Sequence, residues 1–108
     1  MNVCLTYLYR DAANYKYWGE VTFTNRAGTD PATLEAEIRP YLIDGHWFVA
    51  DDVGLPDLRP ADRDEELDHD WHEVHSFAET EARPSDVYGR DIVEFLRDVR
   101  EKVRVSVP

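Results

Sequence analysis

Apolar residues recur in this chain at every second position, then at every third or fourth, and the switch happens twice along its length. A period of two marks a strand with one buried face, and a period near 3.6 marks an amphipathic helix. Residues 3–9 place Val3, Leu5, Tyr7 and Tyr9 on one side. Residues 15–24 place Tyr15, Tyr17, Val21 and Phe23 on one face and Lys16, Glu20, Thr22 and Thr24 on the other. Trp18 interrupts that alternation, and Gly19 marks a bulge or a close approach. The short turn-forming stretch 10–14 joins the two segments as an antiparallel hairpin. Asp30-Pro31 then supplies an N-cap followed by proline at the first helical position. Leu34, Ile38, Tyr41 and Leu42 follow at helical spacing. Pro40 kinks or ends this helix, and Asp44-Gly45 closes it with Gly45 as a left-handed cap.

The second half repeats the order. Residues 46–49 read as a short strand, and 50–63, with Gly54, Pro56 and Pro60, as an irregular crossing. Residues 62–70 are the peak of acidity and read as a solvated loop. Residues 71–82 fit a half-exposed strand, with Trp71 and Val74 as packing residues; a helical stripe of Leu67, Trp71, Val74 and Ala78 is the rival. Residues 83–86 form a turn suited to capping the last element. Tyr88, Ile92, Phe95, Leu96, Val99 and Val103 then make a helical stripe backed by charged residues. The economical solution is an α+β fold, one domain over residues 1–108. In it a four-stranded, mainly antiparallel sheet carries both helices on one face, in the order ββαββα.

Charge narrows the function. The net −11 is concentrated in residues 31–86, where sixteen acidic side chains face four basic ones. Such a field repels nucleic-acid phosphates and attracts basic proteins, so no direct nucleic-acid binding is expected. No apolar run of about eighteen residues is present, which argues against a membrane helix. The N-terminus lacks the basic and apolar regions of a secretory signal. The single cysteine, Cys4, reads as a small strand residue and fits a reducing cytoplasm.

Chemistry-bearing motifs are few. Three of the four histidines fall in residues 69–75, interleaved with carboxylates. On a strand, His69, Glu73 and His75 share a face with Trp71, while Asp70 and His72 point the other way. Residues two apart on a strand are only about 7 Å apart, and the H-E-x-x-H spacing of a zinc helix is absent. On a helix, Asp68, His72, His75 and Glu79 would line up instead. The plainer reading is a sheet edge with solvated histidines. Asp51-Asp52 reads as a turn before it reads as an acid–base pair. Ser76, Ser85 and Ser106 lie in no nucleophile elbow. Tyr7, Tyr9, Tyr15, Tyr17 and Trp18, flanked by Arg10 and Lys16, resemble a stacking platform, although the odd-numbered tyrosines fit the core better.

The run Tyr9-Arg10-Asp11-Ala12-Ala13-Asn14-Tyr15-Lys16, followed by Gly19 and Leu42-Ile43-Asp44-Gly45, resembles a family of small uncharacterised bacterial proteins. The resemblance spans most of the chain. It implies a prokaryotic, intracellular origin and brings no activity or site with it.

Together these features lead to the expectation of an acidic, cytoplasmic interaction module of the inhibitor, immunity or antitoxin type rather than an enzyme. A basic protein partner would be met through residues 31–86. Its contacts would be Asp62, Asp64, Glu65, Glu66, Asp68 and Asp70, together with Trp18. The alternative is a ligand-binding or metal-dependent enzyme built on the aromatic hairpin, with His69, His72, His75 and Glu73 as metal ligands. No catalytic residue, cofactor or oligomeric state is assigned.

Overall fold

The two alternating segments pair as a hairpin: β1 (Asn2–Arg10) runs antiparallel to β2 (Lys16–Phe23). The structure, a computed structural model, describes residues 1–61 and 69–103. Asp62, Asp64, Glu65, Glu66, Leu67, Asp68 and Ser106 therefore lie outside the described residues. Arg10 Nη1 donates to Asn14 Oδ1 at 2.7 Å across the hairpin turn, where Asn14 takes a left-handed φ of 68°. Trp18 does not break the alternation. It takes its turn on the outward side with Lys16, Glu20 and Thr22, paired across from Leu8. Gly19 is a close approach, not a bulge: a Cβ there would meet Leu58 Cδ2 at 2.9 Å and the Tyr7 ring at 3.0 Å.

Asp30 caps α1 (Pro31–Ile38) by accepting from the Thr33 amide at 2.9 Å, and Pro31 opens it. Past Ile38, Pro40 limits the chain to a single 3₁₀ turn, Arg39–Tyr41. Gly45 is left-handed as expected, with φ 73°, but its role differs. Asp44 is also left-handed at 50°, and the His46 amide donates to the Ile43 carbonyl at 3.0 Å. Two successive positive φ values make a tight hairpin turn, which is what the Asp-Gly pair favours. It feeds β3 (Trp47–Val49) rather than capping a helix.

A 3₁₀ turn (Ala50–Val53) and an irregular crossing lead toward β4 (Trp71–Thr80), so the strand reading of this segment holds and the helical rival does not. The strands order as β2-β1-β4-β3, every neighbouring pair antiparallel. The bulge lies in β4. Val74 pairs with Tyr7 and Ser76 with Thr6, which leaves His75 as the extra residue. That insertion lets Val74 and Phe77, three residues apart, both face the core.

α2 (Ile92–Lys102) starts later than the stripe implied. Asp91 forms a capping box with Glu94, accepting from the Val93 amide while Glu94 accepts from the Asp91 amide. Tyr88 precedes the helix and is exposed instead of joining the apolar stripe. Residues 83–86 do not cap it either. Ser85 Oγ accepts from the Thr22 amide at 2.8 Å, fastening this segment beside β2.

Both helices and the crossing cover one face of the sheet. Tyr7, Phe23, Phe48, Val74 and Phe77 there meet Leu34, Ile38, Ile92, Phe95 and Val99. Arg90 seals the rim of this core. Its guanidinium donates to Asp86, Asp98 and the Val53 and Gly54 carbonyls, and it lies 5.3 Å from the Tyr88 ring. Burial works against its charge, but Asp86 and Asp98 outweigh that and hold the guanidinium more firmly protonated than usual.

Candidate functional site

Alternation decides which residues reach the open face. Outward positions run Cys4, Thr6, Leu8 and Arg10 on β1 and Lys16, Trp18 and Glu20 on β2, with Glu73 on β4 paired to Trp47 on β3. All three tryptophans, far apart in sequence, therefore gather on the side away from the helices. Trp18 is 52% exposed and Trp71 38%. Trp71 is thus no core residue; it stacks on Trp47 with ring centroids 5.2 Å apart and an interplanar angle of 22°. Leu8 is buried despite facing outward, because Trp18 and Glu73 flank it across the two strand pairs.

A cleft of about 290 Å³ opens above Leu8, lined by Arg10, Lys16, Trp18, His46, Glu73 and His75. The bulge points His75 into it, edge-on to Trp18 with centroids 5.0 Å apart and an angle of 86°. Glu73 accepts from Arg10 Nη2 and from Trp47 Nε1, both at 3.3 Å. One carboxylate thus ties three strands together. Arg10 and Lys16 stand directly opposite each other in register, and Lys16 forms no ion pair among the described residues. A larger hollow of about 440 Å³ separates α1 from α2. Its lining of Pro40, Tyr41, Val93 and Leu96 offers mostly apolar surface, with Arg100 lying over the Tyr41 ring.

The four candidate metal ligands are not brought together. Glu73 and His75 face outward, as the strand reading places them. His72 faces the core and is 1% exposed, so it is not a solvated rim histidine. Its ring packs against Tyr7, Tyr9 and Phe48. Nε2 accepts from the Leu58 amide at 3.0 Å with Asp57 3.5 Å away, while Nδ1 is buried without a hydrogen-bond partner among the described residues. Burial pushes the His72 pKa down, against the pull of Asp57. His69 stops short of the strand: its carbonyl accepts from Tyr9 Oη and its Nδ1 from the Trp71 amide. Among the described residues no three His, Cys, Asp or Glu side chains are placed to hold a metal ion.

The histidine latch belongs to a wider clamp that fastens the crossing to the sheet. Tyr7 Oη donates to the Pro56 carbonyl at 2.8 Å, and burial followed by the charge of Asp57 pushes its pKa up to about 12. Arg59 bonds both Asp57 and Asp70. Its hydrogen bonds hold the Asp57 carboxyl down to about 2. Tyr7 and Tyr9 are accordingly core residues, and only Tyr15 among the hairpin tyrosines is freely exposed. Asp51 and Asp52 are exposed in the 3₁₀ turn, beside Asp98 and Lys102.

Comparison with known proteins finds no matching family model, no matching curated protein and no matching solved structure. No described helix is long and apolar enough to cross a membrane. Sequence reasoning missed His46 and Leu8 as parts of the cleft and Arg90 as a buried clamp. His46 enters only through the tight turn before β3. The signal for Leu8 was an apolar residue on the polar face of its strand, opposite a second one, Trp18, on the polar face of the next.

Proposed function

We propose that this chain is a non-enzymatic interaction module that docks a basic protein at the β3–β4 edge of its open sheet face. The observation that carries this reading is the position of Trp71: a half-exposed tryptophan, stacked on Trp47, directly follows Asp70, the last residue of the acidic stretch 62–70 in the sequence. Large aromatics on an uncovered face are the residues that dominate protein interfaces. A run of carboxylates in the same chain, such as the sequence carries just before Trp71, accelerates encounter with a basic surface and selects its sign. Asp70 is the described end of that run, its side chain two-thirds exposed and paired to Arg59. Inhibitor, immunity and antitoxin modules share this logic, and a basic enzyme or nucleic-acid-binding protein is the kind of target it fits.

The test is capture from host lysate on immobilised protein, in parallel with Trp71→Ala and with a variant carrying amides at Asp62, Asp64, Glu65, Glu66, Asp68 and Asp70. A basic protein that is retained by wild type, released by high salt and lost from both variants is the expected result. Retention that is indifferent to salt and to both variants overturns the reading.

A further inference from the structure

Lys16 and Arg10 are cross-strand neighbours of like charge, an arrangement that is ordinarily destabilising. They stand at a cleft in a chain whose acidic residues outnumber its basic ones by 23 to 12. Glu73 answers Arg10 but is already shared with Trp47, and Lys16 is left without a counter-charge among the described residues. His46 and His75 add two more nitrogen-bearing rings to the lining. Trp18 supplies an exposed apolar plane at the same place. The open face thus joins a cationic corner to a flat aromatic wall, above a floor made by buried Leu8.

We propose that this cleft binds a nucleoside monophosphate, its base against Trp18 and its phosphate between Lys16 and Arg10. Two adjacent cations suit a doubly charged phosphate better than a single carboxylate, and an exposed indole offers any base a stacking surface. The cleft's volume lies at the small end of ligand pockets, room for one base with one anionic group rather than a long cofactor. A polymer is disfavoured by the same charges that leave a monomer untouched. A single strand would run from the cationic corner into the field of a chain carrying −11, while a mononucleotide meets the local pair and one carboxylate, Glu73, already paired to Arg10. The cleft borders the proposed protein-docking edge through Glu73, but Trp71 is not part of its lining.

The experiment is titration of the intact chain with AMP, GMP, CMP and UMP, read by tryptophan fluorescence and by amide NMR shifts. Adenosine, inorganic phosphate and a ten-nucleotide single strand serve as comparison ligands. Saturable binding at or below ~1 mM is expected for at least one nucleotide, with shifts centred on Trp18, His46 and His75. Adenosine and inorganic phosphate should each bind at least about tenfold more weakly. Trp18→Ala and Lys16→Glu should each weaken the nucleotide by about tenfold or more, while Trp71→Ala leaves it unchanged. Both substituted residues are exposed, so folding is retained, and the NMR spectrum verifies it. The proposal is overturned by the absence of saturable binding of all four nucleotides. It is equally overturned by binding that survives both Trp18→Ala and Lys16→Glu, or by tighter binding of the single strand than of any monomer.

Discussion

His72 and His75 stand three residues apart on β4, yet one is sealed beneath the crossing and the other is exposed beside Trp18. Trp18 and Gly19 make the same contrast on β2: one side chain lies half in solvent, and the other position takes a methyl group only if Leu58 or the Tyr7 ring shifts. On the covered face side chains are fixed by packing, and His72 also by a hydrogen bond from the Leu58 amide, so a change there costs folding energy. On the open face the side chains answer mainly to one another and to solvent, so a change there should cost binding and leave the fold intact.

The sharpest way to break this contrast is Arg90→Ala. It strands the Asp86 carboxylate, whose side chain is 2% exposed, together with two backbone carbonyls. Removing one partner of a buried ion pair costs about 3–5 kcal/mol, to be read as a large fall in the urea midpoint. Gly19→Ala should cost roughly 1–3 kcal/mol by overpacking against Leu58 and Tyr7. A neutral result there would mean that the crossing is not held as tightly as its contacts imply.

Acid probes the covered face through His72. Burial lowers its pKa in the folded chain, whereas in the unfolded chain it takes a proton below about pH 6.5. The contribution is therefore complete above that value and is lost as pH falls below it, with a slope of up to about 1.4 kcal/mol per pH unit until the folded value is reached. Denaturation midpoints compared at neutral and mildly acidic pH measure this, and His72→Gln should flatten the slope. Asp57, Asp86 and Asp91, all held below the usual carboxylate range, add their losses only at more acidic pH. The smallest expected effect is on the open face. Trp18→Ala should change stability by about 1 kcal/mol at most in the same assay, the cost of uncovering Leu8 and losing the His75 contact. A substantially larger loss would move Trp18 from the binding surface into the core of the fold.

Much of this architecture was legible because the forces that set it are short-ranged. Asp30-Pro31 opens a helix, and alternation at 3–9 makes a strand, whatever lies elsewhere in the chain. The errors came where a local signal had two uses. Asp44-Gly45 serves as well in a hairpin turn as after a helix, and only the pairing of Ile43 with Trp47 settles the matter. Tyr88 fits the helical period but precedes the cap at Asp91, where the capping box holds the helix start. The histidine segment was legible as a strand, but not in its surroundings: nothing in its own residues says that Leu58 will donate to His72.

The sequence by itself determined the order of strands and helices, the side of the chain that would be apolar, and the concentration of negative charge in its middle. Those follow from side-chain period, capping chemistry and composition. Tertiary structure decided which face the helices would cover, and therefore which tryptophans would stay in solvent. It also brought His46, Lys16 and His75 from three separate segments to one cleft. The physical reason is that a cleft is made by strand register and by one bulged residue. Both are fixed by long-range pairing of backbone groups that are the same in every residue.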